Sequence, residues 1–451
     1  MSETYLVISV VAAILILLFL VLKLKIHAFL SLLLTSIIVG LITGMEFTSI
    51  IESIEEGMAS TLGFVATVVG LGAIFGQLLE ASGGAESIAH YMLKKFGWEK
   101  ASWALVFTGF IIAIPVFLDV GFVILIPIIY ALGRETKRSL LLYGIPLLAG
   151  LAVTHAFIPP TPGPVAVAQI LDAQLGWIII FGIIVGIPAA IIAGPIFGKY
   201  ISKKIQLSPP DYFTDDKDED KPEIYPSFRT VVLIIALPLV LIIIHSVTEI
   251  LYKNDIMISE NVYQVFALIG HPFTALTIAT LLALYVLGYK KGFSKAKLSQ
   301  LSGKALGPAG LIILVTGAGG VFKQVLIDSG VGEMVAENMQ NSSMPPIVLA
   351  YLLAVIVRIT QGSNTVSMIT AAGIMAPVLP VFDLSQMQTA LVVLSIASGA
   401  TILSHVNDSG FWLVGKYLGM DEKQTLKSWT VMETIISITG FIMVLLLSLF
   451  I

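Results

Sequence analysis

Apolar residues in this chain come in runs, and most of the runs are long. Stretches 5–22, 28–44, 62–80, 101–132, 139–158, 176–198, 229–251, 262–288, 305–327, 346–357, 366–382, 387–404 and 430–451 are almost free of charge. A helix needs about 20 residues to cross a bilayer core, so these runs predict roughly 10–14 membrane segments. The run 101–132 is long enough for two short helices. Residues 46–60 interrupt the pattern with an amphipathic, acidic stretch, which reads as a helix lying at the interface or in water. Only 199–228 is clearly hydrophilic, with Lys199, Lys203 and Lys204, then Pro209-Pro210, then an acidic run over 211–220. It reads as a solvated linker. The chain therefore divides into a first membrane unit 1–198, the linker 199–228 and a second membrane unit 229–451.

The two units carry related polar marks. Phe75, Gln77, Leu79, Ser82, Gly83, Glu86 and Ala89 return as Phe322, Gln324, Leu326, Ser329, Gly330, Glu333 and Ala336, at a constant offset of 247. Thr154-His155 finds an echo in Ser404-His405, at an offset of 250. Basic residues cluster at Lys23/Lys25, Lys94/Lys95/Lys100, Arg134/Lys137/Arg138, Lys199/Lys203/Lys204 and Lys290/Lys291/Lys295/Lys297. Placing all five groups in the cytoplasm, as short basic loops favour, gives one consistent path. The N-terminus is then outside and the linker inside. Run 62–80 points inward and its partner 305–327 outward, so the repeat is of the inverted kind. Inverted repeats with broken helices are a hallmark of secondary transporters.

Composition narrows the class further. The mean hydropathy is +0.97, and 12% of residues are charged, about half the share of a soluble domain. The chain is an all-α polytopic membrane protein, because lipid permits only backbone that satisfies itself. There is no cysteine, which excludes disulfides and thiolate metal sites. No small-x-small cleavage site clearly follows residues 1–22, so they read as a retained first helix. The net charge of −4 says little about partners. No P-loop is present, and Gly317-Ala318-Gly319-Gly320 lies within an apolar run, where it reads as close helix packing. No His/Asp/Glu spacing suggests a metal, and nothing points to nucleic acid.

Four places break apolar sequence with glycine, proline and polar groups: 114–121, 154–164, 358–367 and 404–410. Prolines 159, 160, 162 and 164 cannot form a continuous helix. Opened helix ends offer N–H groups to an anion and carbonyls to a cation. Asp119 is a carboxylate inside apolar sequence, which costs about 2.5–3.5 kcal/mol on insertion scales. It either bonds a neighbouring helix or carries a proton. His155 and His405 are imidazoles at matched positions, suited to proton coupling, to holding a substrate hydroxyl, or to structure. Arg358 is the best anion binder, since its planar fork fits a carboxylate. It could instead mark a helix end, or pair with Asp408. Gln361, Ser363, Asn364 and Thr365 supply donors and acceptors on a glycine-opened turn, with Thr161 and Asn407 in the facing breaks. The expected substrate ligands are therefore Arg358, Gln361, Ser363, Asn364, Thr365, Thr161, His405 and Asn407, and the proton-coupling groups Asp119, His155 and Asp408. Lys323 and Glu80 read as interfacial.

These stretches resemble the gluconate permease (GntP) family of bacterial sugar-acid:proton symporters over essentially the whole chain. The resemblance rests on 51–63 (IESIEEGMASTLG), 70–84, 117–127 (FLDVGFVILIP), 153–164 (VTHAFIPPTPGP), 317–332 (GAGGVFKQVLIDSGVG), 358–367 (RITQGSNTVS), 404–412 (SHVNDSGFW) and 430–437. Three positions depart from the common pattern: Asp119 stands where members commonly have Glu, Thr161 where many have His, and Asn364 where many have Ala. The Gly-Ser-Asn-Thr turn also resembles turns of sodium-coupled dicarboxylate carriers in the wider ion-transporter superfamily. The resemblance implies re-entrant hairpins, a scaffold with a mobile transport domain, a homodimer and a place in the bacterial plasma membrane. It implies proton-coupled uptake of gluconate or a related small hydroxylated monocarboxylate, with no cofactor beyond the proton. Glycerate, another aldonate or D-serine as substrate, and sodium as coupling ion, are the alternatives within transport. A membrane enzyme using Asp119 and His155 as acid and base fits the inverted repeat less well, and a channel is disfavoured by the density of buried polar groups in both halves.

Overall fold

The computed structural model describes residues 12, 15–17, 19–20, 23–209, 225–253, 259–330 and 344–451. The acidic run of the linker, most of the first apolar run, and Glu333 and Ala336 of the repeat lie outside the described residues. Within them the chain is helical and contains no strand. Helices α1 (Ala28–Ile42), α2 (Phe47–Ala81), α3 (Gly84–Phe96), α4 (Ala101–Ile112), α5 (Leu118–Thr136), α6 (Leu141–Phe157) and α7 (Pro162–Ile170) are followed by α8 (Leu175–Lys204). The second unit begins with α9 (Phe228–Lys253), α10 (Glu260–Gly270) and α11 (Pro272–Lys291). Then come α12 (Lys295–Asp328), α13 (Pro346–Gln361), α14 (Asn364–Met375), α15 (Gln386–Thr401), α16 (Ser409–Leu418) and α17 (Glu422–Ser448). Among the described residues, 7 helical stretches are long and apolar enough to cross a membrane, several of them with a break or π-turn inside.

The order of elements repeats. Helices α2, α4, α5, α6, α7 and α8 recur as α12, α13, α14, α15, α16 and α17, near the offset already visible in the sequence. Among the described residues, helix α9 has no counterpart at that offset. The run 101–132 resolves into the two expected helices, α4 and α5, parted at 113–117.

Residues 47–60 are helical, with Glu46 at the N-cap, and continue without a break into the apolar run that follows. They are the first part of the 35-residue α2. The reason lies on one face: Ser53, Gly57 and Thr61 are buried there, whereas Glu52, Glu55 and Glu56 stay exposed. That small face meets α12 backbone to backbone. A Cβ on Gly320 would lie 2.0 Å from Thr61 Oγ1 and 2.6 Å from the Gly57 carbonyl oxygen. So the 317–320 glycine run serves close packing, as small residues do between membrane helices. Ser53 Oγ donates to Asp328 Oδ2 at 2.6 Å, and Gly70 faces Leu306. These pairings make α2 and α12 antiparallel.

The core sits on α6 and α15. Helix α6 is buried except at Leu142 and His155, and α15 is buried from Thr389 to Thr401. Helices that are apolar all round belong in a protein interior. Both helices end in a break; α6 reaches the site through Ala152 and His155, and the break after α15 through Asp408.

Candidate functional site

Each break has a local cause. Pro115 lacks an N–H and biases Ile114 away from helix, so α4 ends at Ile112 and α5 starts after the extended Phe117. Asp119 then lies in the first turn of α5, at the positive end of the helix dipole. In the second unit α13 ends at Gly362, whose φ of +83° suits glycine, and its N–H reaches the Arg358 carbonyl oxygen at 2.9 Å. Ser363 then caps α14, accepting from Val366 N at 3.4 Å, while Ser367 Oγ donates to the Ser363 carbonyl oxygen at 2.6 Å. Asn364 Nδ2 donates to Thr401 Oγ1 at 3.2 Å, which ties this tip to the end of α15.

The other two breaks are the extended ends of the buried helices. After α6 the chain passes Pro159 and Pro160, joined by a cis peptide bond, to Thr161 and Pro162 at the start of α7. Thr161 Oγ1 donates to the Ile158 carbonyl oxygen at 2.7 Å. After α15 the chain unwinds until Asp408 caps α16, accepting from Gly410 N at 3.0 Å.

Arg358 crosses between α13 and this last break. It is 1% exposed. Its Nη2 donates to Asp408 Oδ2 at 2.7 Å and its Nε to the Ile402 carbonyl oxygen at 3.3 Å. Asp408 Oδ2 also accepts from Ser404 Oγ at 2.5 Å, and Ser404 Oγ accepts from Trp429 Nε1 at 2.6 Å. Thr430 Oγ1 donates to the Ser404 carbonyl oxygen. Arg358 Nη1 is buried without a protein partner.

A cavity of about 650 Å³ opens where three of these breaks, at Phe117, at Ser363 and at Asp408, come together. From the first unit Phe117, Asp119 and His155 line it; from the second come Arg358, Ser363, Asn364, Thr365 and Asp408. One wall is α12, from Gly307 to Val315, and His27 also lines the cavity. Asp119 is exposed to this space. The His155 and Phe117 rings meet in a T-shaped contact with centroids 6.2 Å apart, and His155 Nδ1 is buried without a partner. The cavity also holds Glu433 of α17, which is 3% exposed with Oε1 unpartnered.

Four expected ligands stand away from the cavity lining. Thr161 lines a smaller pocket with Pro115 and Pro160. His405 Nε2 and Asn407 Nδ2 both lie 3.1 Å from the Ile359 carbonyl oxygen, so they hold the end of α13. The Gln361 amide is buried without a partner. The two matched histidines thus sit differently, His155 in the cavity and His405 on the backbone behind it. Lys323 lies 3.4 Å from the well-exposed Asp172, and Glu80 accepts from Gln77 Nε2 at 2.9 Å, both outside the cavity. Glu433 and Trp429 were not among the expected residues. The available signal was that Glu433 is the only charge in the run 430–451.

Broken helices meeting around a buried, charged cavity in an apolar bundle define a membrane carrier. The chain belongs to the GntP family of permeases: the description "GntP family permease" matches residues 5–450. It is similar to a low-affinity gluconate transporter of Escherichia coli, with 42% identity over 443 residues, covering 98% of both chains. A gluconate permease of Pseudomonas aeruginosa is 38% identical over 449 residues, covering 99% of this chain and 98% of its own. An L-idonate transporter of Escherichia coli is 37% identical over 438 residues, covering 97% and 98%. Among solved structures, the YdaH transporter of Alcanivorax borkumensis has the same fold with a TM-score of 0.66. It is 14% identical and covers 94% of this chain and 98% of its own. The protein is thus a multi-pass membrane permease, not an enzyme.

Proposed function

We propose that this permease couples an inward proton to uptake of gluconate or a related small hydroxylated monocarboxylate. One observation carries the coupling: the cavity holds three carboxyl groups, Asp119, Asp408 and Glu433, and one guanidinium, which Asp408 already engages. Among the described residues, neither Asp119 nor Glu433 has a cation within ion-pair distance. An anion about 5–6 Å from a second unneutralised carboxylate meets roughly 3 kcal/mol of repulsion at an effective dielectric of 20. A proton on Asp119 or Glu433 removes that repulsion, so anion and proton bind best together. The substrate carboxylate is met by Arg358 and by the N-terminal turns of α5, α14 and α16, all of which reach the cavity. Ser363, Asn364 and Thr365 then meet hydroxyl groups.

The names of the relatives support a sugar acid, and the L-idonate transporter among them fits a site that accepts more than one aldonate. The antiparallel α2 and α12 support an inverted repeat, hence two access states of similar energy. We place the protein in the bacterial plasma membrane as a homodimer. Uptake into proteoliposomes under an imposed inward proton gradient, without sodium, tests the coupling. Accumulation only under a sodium gradient would replace this reading by one in which the glycine-opened turn at 362–365 offers its oxygens to the cation. Competition by gluconate, L-idonate, glycerate and D-serine against one labelled acid ranks the substrates.

A further inference from the structure

A second cavity, of about 540 Å³, lies apart from the transport site. Three separate elements form it: the turn leading into α4, the loop between α5 and α6, and the last turns of α8. Its walls carry five cations, Lys100, Lys137, Arg138, Lys199 and Lys203, against one carboxylate, Glu99. All five are exposed, and among the described residues none of them makes an ion pair. The frame beneath them is fixed. Ser102 Oγ donates to the Leu142 carbonyl oxygen at 2.7 Å, and Ser139 Oγ to the Ile205 carbonyl oxygen at 2.8 Å. Leu207 N donates back to Ser139 Oγ at 3.2 Å. The three elements are thereby stapled to one another, so the concavity persists rather than depending on long side chains.

Its surroundings are those of a membrane interface. Trp98 and Trp103 line the cavity and are 56% and 37% exposed, and such rings favour headgroup depth. Along α8 the exposed Ile192, Ile196 and Tyr200 lead directly to Lys199 and Lys203. One helix face therefore passes from apolar to basic within three turns. A free phosphate would use only the basic end, whereas a diacyl phosphate would use both.

We propose that this cavity binds the headgroup of an anionic phospholipid, with its acyl chains along the Ile192–Ile196 side of α8. Native mass spectrometry of the full chain in detergent tests it, with phosphatidylglycerol, phosphatidylcholine or inorganic phosphate added separately. The wild type should retain phosphatidylglycerol in preference to phosphatidylcholine. The triple variant Arg138→Gln/Lys199→Gln/Lys203→Gln should lose at least about tenfold in retention, because each near-surface cation contributes about fivefold. The charge-keeping Arg138→Lys/Lys199→Arg/Lys203→Arg should retain the lipid. Should the triple glutamine variant misfold, single Lys203→Gln should still weaken retention several-fold. Equal retention of the two lipids, or unchanged retention in the glutamine variants, overturns the proposal. Binding of inorganic phosphate alone, with displacement of the lipid, would make it a soluble-anion site and overturn it equally.

Discussion

At the scale of single residues, Arg358 poses the sharpest choice. A guanidinium that is 1% exposed and bonded to Asp408 at 2.7 Å is a structural element whatever else it does. Removing one partner strands the other charge, at about 3–5 kcal/mol. Asp408→Ala and Arg358→Ala should each lower the unfolding temperature in detergent, whereas the apolar double variant Arg358→Met/Asp408→Leu should recover most of it. Substrate binding to that double variant separates the roles: recovered stability without binding fits an anion anchor, and recovered binding would reduce the pair to scaffolding. Glu433 gives a second prediction. Glu433→Gln keeps shape and removes the titratable proton, so uptake driven by a proton gradient should fall at least about tenfold. Exchange of labelled for unlabelled substrate should persist, because counterflow need not carry a proton. Equal loss of both activities would assign Glu433 to packing. Asp119 was legible in sequence because a carboxylate in apolar surroundings is expensive. The same reasoning applies to Glu433. What sequence could not supply was its neighbour, since Arg358 and α17 meet only in the folded chain.

Between elements, backbone proximity decides what is tolerated. Gly320 and Gly303 share α12, yet a Cβ on the first would strike Thr61 and the α2 backbone, while one on the second would meet nothing within 4 Å. Gly320→Ala should therefore destabilise by more than 1 kcal/mol, as overpacking does. Gly303→Ala should be neutral or stabilising, because alanine is the better helix former by about 1 kcal/mol. Thermal unfolding of the two variants side by side reads the difference. At Gly362 a Cβ would stand 2.3 Å from the Asn407 carbonyl oxygen, with φ already at +83°. Gly362→Ala should thus displace the α13–α14 tip and impair transport far more than Gly303→Ala. Element boundaries followed the sequence where proline or glycine punctuates it, at 113–117, 158–161 and 362–363. At 46–60 the acidic residues marked an exposed face, but the packing of the opposite face was not legible. The deciding fact was the small face of Ser53, Gly57 and Thr61, whose meaning depends on a glycine run more than 250 residues away.

For the whole molecule, the repeat visible at an offset of 247 becomes two sets of breaks closing on one cavity, with Asp119 and His155 from one unit opposite Asn364 and Asp408 from the other. Periodicity gives the parts of such an arrangement; only long-range assembly gives the cavity. The same assembly bears on orientation. Of the five basic groups, three contribute to the second cavity through Lys100, Lys137/Arg138 and Lys199/Lys203, so they lie at one end of the molecule. The positive-inside tendency assigns that end to the cytoplasm. Ser208 leaves from the same end, one residue after Leu207, whose carbonyl oxygen accepts from Leu140 N at 3.0 Å. Thr48 lies at the start of α2, and a 35-residue helix spans about 50 Å, enough to put that start on the opposite side. The chain has no cysteine, so a single introduced thiol reports without background. Ser208→Cys should resist an impermeant maleimide on intact cells and react in inverted vesicles, while Thr48→Cys should do the reverse. Rapid labelling at 208 and protection at 48 from outside would turn the molecule over in the membrane. It would also place the basic cavity on the outer leaflet and make the proton path run the other way through the same residues.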